Sequence, residues 1–119
     1  MIEINIDKST EKEKRFEQQQ EKYFLKYKDS ILKYFCKHIK RLLKTGDFST
    51  TTYPGERYFY IYVPGCLNRI HYRYTCCHRE TIDKYLSEKI KEFLINEGIP
   101  VKGKVKVECF NNVHIYVKD

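Results

Sequence analysis

The sequence predicts an α+β domain in which two helices pack on one face of a mainly antiparallel four-stranded sheet. Three observations predict it. Two stretches repeat apolar residues every three or four positions, two others alternate apolar and polar residues, and Gly, Pro or Asn stands at the joints. Read along the chain, the order is helix, hairpin, helix, hairpin, the whole forming one domain of ordinary size.

Ile2, Ile4 and Ile6 alternate with Glu3, Asn5 and Asp7, the period of an additional N-terminal edge strand or an extended arm. Ser9 or Thr10 is then expected to cap the first helix, Thr10 and Glu13 forming a capping box. An apolar stripe follows through Phe24, Tyr27, Ile31, Tyr34, Phe35, Ile39, Leu42 and Leu43, and Gly46 closes it. Unbroken, this helix would run on the order of 50 Å at 1.5 Å per residue, longer than so small a core needs. Residues 17–22 carry no apolar side chain, so residues 1–22 are expected to be an arm and a projecting helix start. Residues 23–119 are expected to be the domain proper.

Residues 47–56, rich in Asp, Ser, Thr, Pro and Gly, read as a loop. In the strand after it, Phe59, Ile61 and Val63 face one way and Tyr58, Tyr60 and Tyr62 the other. Pro64 and Gly65 turn the chain into a second strand, where Ile70, Tyr72 and Tyr74 alternate with Arg69, His71 and Arg73. The second helix starts near Cys77 or His78, buries Ile82, Tyr85, Leu86, Ile90, Phe93 and Leu94, and stops at Gly98 before Pro100. The last hairpin sets Val105, Val107 and Cys109 beside Val113, Ile115 and Val117, turning at Asn111 and Asn112. Ile31, Lys33, Tyr34, Ile39, Lys40 and Leu43 recur as Ile82, Lys84, Tyr85, Ile90, Lys91 and Leu94, the mark of an internal αββ duplication or of two basic helices sharing a heptad.

The charge is uneven. Residues 1–22 hold five basic and six acidic side chains, residues 23–46 seven and one, and residues 47–119 eleven and nine. The net +7 therefore collects on the first helix, at Lys26, Lys28, Lys33, Lys37, Lys40, Arg41 and Lys44, where cations also suit the helix C-terminus. No stretch is apolar enough to span a membrane, and the first twenty residues do not form a signal pattern. A cytoplasmic location is expected, with the thiols of Cys36, Cys66, Cys76, Cys77 and Cys109 reduced. The abundance of Lys, Ile, Tyr and Asn points to an AT-rich genome such as that of a virus or mobile element.

With the helices on the apolar face, the other face would present Tyr58, Tyr60, Tyr62, Arg69, His71, Arg73, Lys104, Lys106, His114, Tyr116 and Lys118, opposed only by Glu108. Aromatic rings stack on unpaired bases while Lys and Arg neutralise phosphates. The expectation is a non-enzymatic module that binds single-stranded nucleic acid or another polyanion there. The same tyrosines and arginines also suit a protein interface, so an interaction or inhibitory module is the alternative, with an acidic protein or a second copy of the chain, joined through the long N-terminal helix, as partner. Ranked below both is a metal-free ribonuclease using His71 and His114, with Arg73 or Lys106 stabilising charge on phosphorus. Cys66, His71, Cys76, Cys77 and His78 lie close together, but their spacing does not suit zinc. No nucleotide-binding loop or catalytic triad signature occurs, and no cofactor is expected.

Overall fold

The computed structural model describes residues 2–64, 69–108 and 111–118. They form a small α+β domain of three helices and a four-stranded antiparallel sheet. Helix α1 spans Ile6–Thr45, β1 Ser49–Tyr53, β2 Glu56–Tyr62, α2 Arg69–Cys76, α3 Arg79–Asn96, β3 Lys106–Glu108 and β4 Asn112–Lys118. The strand order is β1-β2-β4-β3, so the two hairpins meet along β2 and β4. Among the described residues, no helix is long and apolar enough to cross a membrane.

Helix α1 begins earlier than Ser9 because Asn5 takes the cap: its side chain accepts a hydrogen bond from the Lys8 amide at 2.9 Å. Ile6 is thereby helical, residues 2–5 are not a strand, and Ile2, Ile4 and Ile6 stand exposed. Gly46 ends the helix at φ 77°, the left-handed conformation a Cβ disfavours, and its amide bonds the Leu42 carbonyl. Tyr23, Phe24 and Tyr27 pack partly buried against the core and full burial runs through Ile31, Phe35, Ile39 and Leu42, so the helix projects before Tyr23 and the molecule measures 64 × 29 × 23 Å.

Two expected elements change identity. Residues 49–53, read as loop, form edge strand β1, joined to β2 by Pro54 and Gly55. Pro54 sets the first turn angle and Gly55 supplies φ 78° at the second. β1 is exposed at every position and lacks an apolar face, but its three consecutive β-branched threonines favour extended backbone. Residues 69–74, read as a strand carrying Arg69, His71 and Arg73, are instead helix α2. Ile70 and Tyr74 follow helical as well as strand spacing, and the helix wins because it puts Tyr74 in the core, stacking on Phe35 at 6.3 Å, with Cys77 buried just after it. The partner of β2 in its own hairpin is therefore β1. At the C-terminal hairpin, Lys104 precedes β3 and Asn112 already belongs to β4, while Cys66, Gly65 and Cys109 lie outside the described residues.

One sheet face supplies Ile61, Val107, Val113, Ile115 and Val117 to a core completed by α1 and by Ile82, Leu86, Ile90 and Leu94 of α3. Leu86→Ala is expected to cost about 2–5 kcal/mol of stability, read from the urea midpoint. Phe16→Ala, at a side chain 60% exposed, should change it by less than about 0.5 kcal/mol. Equal losses would mean that the projecting part of α1 is packed in solution.

Candidate binding face and groove

Strand pairing decides which side chains meet. Tyr58 stands opposite Tyr116, Tyr60 opposite His114, Tyr62 opposite Asn112, and Lys106 opposite His114. Since side chains alternate, Tyr58, Tyr60, Tyr62, Lys106, Glu108, Asn112, His114, Tyr116 and Lys118 share the face turned away from the helices, with Ser49 and Thr51 of β1 beside Tyr60 and Tyr58. Of the ten residues expected to form the site, the sheet brings together Tyr58, Tyr60, Tyr62, Lys106, His114 and Tyr116. Lys104 joins them from the segment before β3.

Arg69, His71 and Arg73 do not. They ride on α2, where Arg73 lies 5.5 Å from the Tyr27 ring of α1, a cation–π contact, and His71 lines a small cavity with Tyr34, Phe35 and Val63 on the helical side of the sheet. His71 and His114 consequently do not share a site. Cys76 closes α2, Cys77 is buried and His78 caps α3, and no group of three metal-binding side chains gathers among the described residues.

The aromatic face is closely packed yet partly open. Tyr58 and Tyr116 lie 4.9 Å apart between centroids, Tyr60 and His114 also 4.9 Å with rings nearly perpendicular, and Tyr116 is 40% exposed. The Tyr60 hydroxyl donates to Asn112 Oδ1 at 2.7 Å, which fixes its ring. The Tyr58 hydroxyl is hydrogen-bonded to His114 Nδ1. Burial, with the neighbouring Tyr116, Tyr60 and Glu108, raises the Tyr58 phenol above its ordinary range. The opposite ring nitrogen of His114, Nε2, is buried. That buried atom makes no hydrogen bond of regular geometry, but Glu108 Oε2 stands 3.3 Å from it. Lys106 Nζ contacts the other Glu108 oxygen at 2.5 Å, and this hydrogen bond is the main cause that keeps the Glu108 carboxyl below its usual range.

Beside this row the sheet ends in a groove of about 780 Å³. Its floor is Tyr58, His114 and Tyr116; its rim is Lys104, Lys106 and, from α3, Lys84, Ser87, Glu88 and Lys91. Residues 84, 87, 88 and 91 form one stripe at helical spacing, roughly 150° around the helix from the buried stripe of Ile82, Leu86 and Ile90. None of these four α3 residues is among the site residues expected from the sequence. Ser87 fastens the helix to the sheet edge: its hydroxyl accepts from the Val107 amide at 3.2 Å and donates to the Asp83 carbonyl at 2.7 Å.

No family model matches the chain, and no curated protein or solved structure matches it either.

Behind the groove, Asp83 is the site's costly group. Its Oδ1 is buried without a partner, and burial first, then the Glu108 charge, raises its carboxyl to about 6 from 3.8. A folded-state pKa above the unfolded value means that the native state holds the extra proton, so stability falls as pH rises through the window between 3.8 and about 6. Asp83→Asn is therefore expected to raise stability at pH 7.5 by about 1 kcal/mol, discounted for the 22% exposure of the side chain, and to have no effect below the window. Urea titrations at the two pH values check this; an equal gain at both would assign the effect to packing.

Proposed function

We propose that the chain binds single-stranded nucleic acid, the bases stacking on Tyr58, Tyr60 and Tyr116 and the phosphates lying along the groove of Lys84, Lys91, Lys104 and Lys106. The observation that carries this reading is the direct junction of an aromatic row on β2 and β4 with four ammonium groups on the rim of one groove. Stacking on an aromatic side chain contributes about 1–3 kcal/mol per base and tolerates any sequence, while lysine–phosphate contacts add a salt-dependent term that fixes no sequence. A duplex hides its base faces, so the tyrosines favour unpaired strands.

A second reading has its own observation. Ile6, Phe16 and Leu25 are exposed along α1, with Ile2 and Ile4 exposed just before it, and such apolar groups suit a contact with a second copy or another protein. The two readings use different surfaces and do not exclude each other. An αββ duplication belongs to this reading through its helices alone: Ile31, Phe35 and Ile39 match Ile82, Leu86 and Ile90 in spacing and burial.

Fluorescence anisotropy with labelled single-stranded DNA and RNA over a salt series tests the first reading. Binding should weaken steeply with salt; Tyr116→Ala should lose about 5- to 100-fold, and Lys84→Glu with Lys91→Glu should flatten the salt slope. Absence of binding at low salt, or binding indifferent to salt, would remove it. Sedimentation equilibrium with Phe16→Glu decides self-association in the same preparations.

A further inference from the structure

We propose that Tyr58, His114 and Glu108 act as nucleophile, general base and positioning carboxylate, so that the groove cleaves a phosphodiester of the single strand it holds and keeps one piece as a tyrosyl phosphate. This inference rests on the nucleic-acid reading. It starts from geometry: the Tyr58 hydroxyl bonds Nδ1 of His114, and the opposite ring nitrogen faces the Glu108 carboxylate at 3.3 Å. A hydroxyl bonded to an imidazole, with a carboxylate within reach of the opposite ring nitrogen, is the arrangement that activates weak nucleophiles generally, whatever fold carries it. All three side chains line the same groove, and all three stand on paired strands rather than loops, which holds their separation.

The surroundings select the substrate class. A phenol is a poor nucleophile toward unactivated esters, but the tyrosyl ester it would form with phosphorus gains from cations at the attacked centre. Lys106 and Lys104 stand beside Tyr58 in the groove, with Lys84 and Lys91 facing them from α3. Ammonium groups set around a phosphoryl oxygen stabilise the charge that grows as the bond forms.

The step balances without a further reagent. Tyr58 Oη attacks phosphorus, its proton passes to His114 Nδ1, and the bond from phosphorus to the leaving sugar oxygen breaks with its electron pair; that alkoxide takes a proton from water. Imidazolium, flanked by Glu108, then returns its proton to solvent. Reattack by the sugar hydroxyl reseals the strand, and attack by water releases it. His114 and Tyr58 touch the reacting atoms, and Glu108 acts only through His114.

The experiment uses the full chain with a short DNA oligonucleotide carrying a fluorophore on one end or the other. DNA lacks the 2′-hydroxyl, so the substrate brings no nucleophile of its own. A labelled band at the mass of protein plus strand fragment on a denaturing gel is the expected result. Tyr58→Phe should form none, and His114→Asn should slow adduct formation about 100-fold or more. Glu108→Gln should slow it while leaving oligonucleotide affinity unchanged or tighter, and Glu108→Asp should restore part of the rate, a split that a merely structural carboxylate would not give. A nitrophenyl phosphodiester of thymidine, whose leaving group needs no proton, should give a burst stoichiometric with protein. Binding without adduct or burst overturns the relay and leaves the binding reading intact. Adduct that survives Tyr58→Phe overturns it as well, and absence of any binding overturns both.

Discussion

The antiparallel pairing of β2 with β4 is the constraint on which the rest of the structure depends. These two strands come from different hairpins, and their register alone decides that Tyr58 meets Tyr116 and that Tyr60 meets His114. The same register sends Ile61, Val113 and Ile115 to the opposite face, where the helices bury them. Because side chains alternate with a period of two, a slip of one residue would put tyrosines in the core and valines in water. Core and aromatic face are thus a single choice made twice. The apolar contribution of each buried Val or Ile, about 1.5–3 kcal/mol, makes the alternative register far too costly to compete.

Helix α3 translates that register into a groove. A helix repeats every 3.6 residues, so one stripe of α3 enters the core while another faces the sheet edge. Ser87 holds the second stripe against β3 through the Val107 amide. This contact also occupies a backbone donor on a short edge strand, which discourages pairing with foreign strands. The ion pair of Lys106 with Glu108 lies on the surface and contributes little to stability. Its importance is positional, since Glu108 lies between that lysine and His114.

Much of this was legible in the chain. The tyrosines of β2, the valines of β4 and the apolar stripes of α1 and α3 each follow one period strongly, and each takes the structure its period implies. Ambiguity arose where one pattern serves two periods: Ile70 and Tyr74 fit strand and helix alike, and only the packing of Tyr74 against Phe35 decides between them. β1 gave no signal because a wholly exposed strand has no apolar face to alternate. Asn5 outcompeted Ser9 as a cap since a side chain three residues before a free amide captures it wherever the backbone allows. Lys84 and Lys91 could not be recognised as groove residues, because nothing local to a helix says what its polar stripe will face. Glu108 looked like a blemish on a basic face; only the pairing of β3 with β4 reveals that it sits behind His114.

The continuity of α1 has a consequence for how the molecule breathes. From Ile31 onward one face of the helix is held in the core, so its amide hydrogens are expected to exchange far more slowly than those of the projecting end. Toward Asn5 the same ladder has nothing packed on it, and exchange there follows fraying of the helix end alone. One unbroken helix therefore spans a wide range of local opening energies in this protein. A protease cutting before Tyr23 would shorten the rod without uncovering any buried side chain, leaving the aromatic face and its groove on an intact domain.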